Sequence, residues 1–137
     1  MVAGLTKAHF VLTVVGLPVW CVVWLILRTT GHLTPLRREG MSALFLVWFW
    51  QFALGAGFLQ ALRGSDLLGS LGYGLFLLSV PLAVLPFAIE AVAGKADHSS
   101  MRDVYKAHPR LGWLLGPTAT ILAGGGGLLI LLSLMVN

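Results

Sequence analysis

Apolar residues run along this chain in four unbroken stretches, at 8–27, 41–62, 67–89 and 111–136, and most of the charges collect between them. Each stretch has the roughly 20 residues that an α-helix needs to cross the hydrocarbon layer, and none shows the period-two alternation of a barrel strand. A helix also closes its backbone hydrogen bonds within one segment, as a lipid environment demands. The pattern predicts an all-α fold: an integral membrane four-helix bundle, antiparallel and up-and-down, with residues 1–137 as a single transmembrane domain and both termini on the same side. Arg63, Gly64, Ser65 and Asp66 leave room only for a tight turn, so the second and third helices are expected to form a hairpin.

Small residues suggest where helices meet. Gly112, Gly116, Thr120 and Gly124 recur every fourth position in the last stretch, as do Ala53, Gly57 and Ala61 in the second. Such stripes let helix backbones approach where lipid supplies no hydrophobic drive, so close contacts are expected on both, with a further close approach at the glycine run 124–127. Pro18, Pro81, Pro86 and Pro117 each remove a backbone donor, and a bend is expected near Pro81 and Pro86.

Composition strengthens the membrane reading. Hydrophobic residues make up 58% of the chain, charged residues only 10%, and mean hydropathy is +0.91, whereas soluble domains carry roughly 25% charged residues. The net charge of +4 does not point to nucleic acid, because the basic residues flank apolar spans. Seven of the nine Lys and Arg residues fall in 28–40 and 90–110, leaving Lys7 and Arg63 opposite. The positive-inside rule then puts both of these loops in the cytoplasm and both termini outside, as for a multi-pass protein of a bacterial inner membrane. The first stretch is too long for a signal-peptide core, and Arg28 follows it instead of a small-residue cleavage site, so a retained helix is expected. Cys21 is expected to be a buried free thiol.

Few residues could carry chemistry. Gln51 lies mid-span, where an amide needs an internal partner and most often ties helices together. Glu90, at the cytoplasmic boundary, is expected to pair with Lys95 or Arg110. A b-type haem needs two imidazoles facing each other across the bundle, and His9, near the outer end of the first helix, has no second one at the same depth. Together with Trp48, Trp50 and Gln51 it is a candidate for contact with a cofactor such as a quinone or pigment, or with lipid. Phe45, Phe49 and Phe52 extend an aromatic wall around Trp48 and Trp50. His32, His98 and His108, with Asp97 or Asp103, are candidates for a loop metal site, although their spacing matches no ligand pattern. Trp113, with Tyr105 nearby, fits an interfacial anchor. With no nucleophile–base–acid set, no phosphate loop and no paired carboxylates, an enzyme is not expected.

The basic loop Arg37, Arg38, Glu39, Gly40, Met41, the third helix with Leu82, Ala83 and Pro86, and a last helix introduced by His108, Arg110 and Leu111 with Pro117 following resemble, in layout over most of the chain, the small four-helix bacterial membrane proteins associated with haem-copper oxidase assembly. The resemblance implies a compact four-helix scaffold that handles haem or copper. The chain departs from that family in having no histidine inside its second and third helices; Val80 and Gly57 stand at the positions of interest. The residues themselves point first to a structural or accessory subunit of a larger membrane complex, an expectation best met in respiratory or photosynthetic electron transfer, with other membrane subunits and the bilayer as partners. The alternatives are the oxidase assembly factor and a small transporter or channel built on Gln51, Glu90 and the third helix.

Overall fold

The computed structural model describes residues 1–94 and 100–136. They form α1 (Val2–Thr29), α2 (Pro35–Arg63), α3 (Leu67–Ala93), α4 (Met101–Ala107) and α5 (Pro109–Val136). The four long helices are each long and apolar enough to cross a membrane, and this is the expected helical membrane bundle. Lys95, Asp97 and His98 lie outside the described residues.

Side-chain caps, rather than hydropathy, decide where α2 and α3 begin. The Thr34 hydroxyl accepts a hydrogen bond from Arg37 N at 3.2 Å and Pro35 occupies the first helical position, so α2 starts well before the apolar run at 41. Asp66 caps α3 by accepting from Gly69 N at 2.9 Å. Gly94 closes α3 in the left-handed region at φ 62°, where the Arg37 guanidinium packs against it. All four prolines of the spans lie inside continuous helix, so Pro81 and Pro86 do not end α3.

The long helices form a row. α1 packs on α2, α2 on α3 in the expected hairpin, and α3 on α5. The backbones of α1 and α3, of α1 and α5, and of α2 and α5 do not approach one another. α4 lies at one end of the row, against α2, α3 and α5. Its Val104 is fully buried against Leu36, Phe87 and Ala91, with Met101 and Leu115 packed around them. Glu39 of α2 accepts from Met101 N at 2.6 Å, placing a carboxylate at the positive end of α4. The Tyr105 ring packs at a tilt on Phe87, centroids 4.1 Å apart, and its hydroxyl donates to Ala83 O at 3.1 Å. Partial burial raises its phenol pKa above the ordinary value and so favours this donor form.

The small-residue expectation is corrected on α5. Gly116, Thr120 and Gly124 face outward, and a methyl group at Gly116 or Gly124 would meet only open space. The buried positions are Ala119, Gly126 and Ser133, seven residues apart on another face. Of the run 124–127, Gly126 alone makes the close approach: a methyl there would come within 2.7 Å of both Gly72 O and Phe76 N. A run of four glycines presents one on every side of a helix, so spacing alone cannot tell which one meets a neighbour. On α2, Gly57 does carry a close contact, against the Tyr73 ring of α3. Cys21 is also corrected: it is a free thiol but exposed, because α1 has only one neighbour and no buried residue.

Candidate functional site

The row leaves a groove between α1 and α3, floored by α2, with a volume of about 500 Å³. This falls within the roughly 300–1,000 Å³ of small-molecule sites. Its walls are almost wholly carbon, from leucines of all three helices together with Gly16, Trp48, Phe58 and Pro81; His9 and Gln51 are the polar side chains at its edge.

Two reciprocal contacts build the α1–α2 side of the groove. The Trp48 ring of α2 lies over Gly16 of α1, where a methyl group would come within 2.7 Å of Cδ1, and its Nε1 donates to Thr13 O at 3.3 Å. The His9 ring of α1 lies over Gly55 of α2, with Nε2 3.2 Å from Phe52 O. In each case a ring fills the notch left by a glycine and meets the carbonyl three residues before it. A carbonyl oxygen can only accept, so His9 Nε2 carries a proton here and only Nδ1 could ligate. Gln51 Nε2 donates to Thr13 Oγ1 at 3.3 Å, the interhelical tie expected of it.

Trp50 stands apart from the other candidates. Its Nε1 donates to Phe76 O of α3 at 3.1 Å and its ring packs on Phe76 at 5.2 Å, away from the groove lining. The aromatic wall instead continues along α1 and α2 as Trp24, Trp20, Phe45, Trp48 and Phe52, with successive ring centroids 5.4 to 5.7 Å apart. Trp20 Nε1 adds a bond to Met41 O at 2.7 Å.

The loop histidines are dispersed. His108 Nε2 lies 2.8 and 3.0 Å from the two carboxylate oxygens of Glu90, so Glu90 pairs with His108 and not with Arg110. The chain reversal through α4 brings that histidine back over the end of α3, a fold-level proximity that a separation of 18 positions conceals. His32 is exposed and offers its backbone carbonyl to Arg37 Nη1 at 2.9 Å. Among the described residues no three His, Cys, Asp or Glu side chains gather as a metal site, and His98 is not among them. Trp113 is 82% exposed, as an interfacial anchor requires.

Thr13, Gly16 and Gly55, which make the groove edge possible, do not stand out among the candidate residues of the sequence. The available signal was a glycine lying on the same helix face as the polar residue it serves: Gly16 follows Thr13 by three, and Gly55 follows Gln51 by four. Comparison with protein-family models, curated proteins and solved structures finds no match.

Proposed function

We propose that this chain is a non-catalytic accessory subunit of a larger membrane complex, of the energy-transducing kind found in respiratory or photosynthetic electron transfer, in a bacterial inner membrane. The observation that carries this reading is the open row: α1 and α5 each have one long-helix neighbour within the chain. Their remaining faces are apolar, and that of α5 bears the outward Gly116, Thr120 and Gly124. Outward small residues suit the approach of another helix in lipid. The mid-span polar groups of Thr13, Trp48, Trp50, Gln51 and Ser79 are engaged in hydrogen bonds that tie helices together or close on their own helix, which argues against a substrate pathway. In this reading 28–40 and 90–110 face the cytoplasm, and the groove takes a lipid, quinone or pigment tail at the subunit boundary.

Solubilising native membranes in mild detergent and identifying what co-purifies tests the proposal. Stable association with other integral membrane polypeptides is expected. Migration as a lone species of 14.7 kDa overturns it. An absorption spectrum and metal analysis of the same preparation address the oxidase-assembly alternative, for which bound haem or copper is required.

A further inference from the structure

At the opposite edge of the row from α5, the last turn of α1 and the first turns of α2 enclose a second cleft of about 410 Å³, lined by Trp24, Arg28, Gly31, Leu33 and Arg38. Two guanidinium side chains and no acid line it. Among the described residues neither Arg28 nor Arg38 has a salt bridge or a side-chain hydrogen bond, in contrast to Arg37, which is held by His32 O, and Arg63, which donates to Thr6 Oγ1.

The backbone around the cleft is fixed, and several of the carbonyls that end α1 are engaged. Helix C-termini normally present bare carbonyls, which repel negative charge. Here Thr29 and Thr30 hydroxyls donate to Leu25 O and Ile26 O, while Thr30 N, Gly31 N and His32 N donate to Ile26 O, Arg28 O and Leu27 O. Gly31 turns the chain at φ 74°, and the Arg37–His32 bond ties the loop to α2. The apolar run of α1 ends at Leu27, so the two arginines emerge where a span leaves hydrocarbon, the level of lipid phosphates.

We propose that Arg28 and Arg38, with Trp24 as the wall, form a binding site for a phosphate group presented by the headgroup of an anionic phospholipid. Planar guanidinium forks match phosphate oxygens two at a time, and an indole at this depth shields the pair from water on the lipid side. The site is independent of the subunit role and of which leaflet it faces.

The test uses the full chain in mixed micelles and counts bound lipid by native mass spectrometry, with phosphatidylglycerol and phosphatidylcholine as probes. The wild type should retain phosphatidylglycerol in preference, and R28Q/R38Q should weaken that retention about tenfold or more. R102Q/K106Q, which removes the same charge from α4 at the same end, should leave it unchanged. An unaltered preference in R28Q/R38Q, or an equal loss in both double variants, overturns the site. Should R28Q/R38Q fail to fold, R28K/R38K keeps the charge but loses the forks, and its retention must fall below wild type for the proposal to stand. Inorganic phosphate added at millimolar concentration separates the sources: release of the lipid overturns the lipid assignment in favour of a soluble phosphate ligand, and persistence supports it.

Discussion

α5 and α1 are the two outer long helices of the row, and they are attached by opposite means. α5 meets α3 backbone to backbone: a methyl at Gly72 would come within 2.8 Å of Ile130 N and 2.9 Å of Gly126 O. α1 meets α2 through rings that bridge the space between them, Trp48 into the Gly16 notch and His9 into the Gly55 notch, each directed at a carbonyl of the facing helix. Lipid tails are as apolar as leucine, so a membrane helix gains little from hiding carbon and must gain from closeness or from hydrogen bonds. The α3–α5 seam uses closeness and the α1–α2 seam uses hydrogen-bonded rings. The first has no slack, because backbone cannot step aside; the second can adjust by rotating a side chain, and it leaves the groove open beside it.

The most damaging test of this contrast is a single methyl. G126A should lower stability by about 1–3 kcal/mol, read as thermal unfolding by circular dichroism in detergent, while G124A two residues away should change it by less than about 0.5 kcal/mol. Equal effects would break the distinction between inward and outward glycines. On the other seam, G55A should cost less, about 1 kcal/mol, because the His9 ring can yield. Its signature is local: spin labels on α1 and α2 should move apart while a pair on α3 and α5 keeps its spacing, and displacement of both pairs would show that the seams are not separate.

Smaller again is W48F, which keeps a ring over Gly16 and removes the donor to Thr13 O. A loss of about 0.6 kcal/mol is expected, and a loss as large as that of G126A would mean that hydrogen bonding, not closeness, dominates the molecule. The smallest effect belongs to the polar end of the α3–α5 seam. The Ser133 hydroxyl, and then Gly69 N, hold the Asp66 carboxyl below its ordinary pKa. A lowered native pKa means a contribution present above the unfolded value of 3.8 and lost as the pH falls through the native one. D66N should therefore melt slightly below wild type at neutral pH and converge with it below about pH 4, so that the acid side of its melting-temperature profile is flatter. An identical acid limb in wild type and D66N would remove Asp66 from the seam.

Much of this architecture is legible in the residues one by one. Continuous apolar runs specify helices because hydrocarbon accepts no unpaired backbone, and the four residues from Arg63 to Asp66 force the hairpin. Gln51 was readable as interhelical glue because a mid-span amide has no other stable state. The candidate site was less legible. His9, Trp48 and Gln51 meet at one groove edge whereas Trp50, two residues from Trp48, turns to α3, and nothing in an aromatic cluster distinguishes these faces before the neighbours are known. α4 was missed because its seven residues carry no long apolar run; it is held by Val104, Glu39 and Tyr105.

The sequence by itself determined that this is a membrane protein of four long helices, because the cost of exposing polar backbone to lipid is paid residue by residue within each span. Only the tertiary structure decided which glycine is a contact, which histidine has a partner and that the row stays open. Those outcomes depend on the rotation of each helix about its axis, and a helix that is apolar all round carries little in its own pattern to set that rotation.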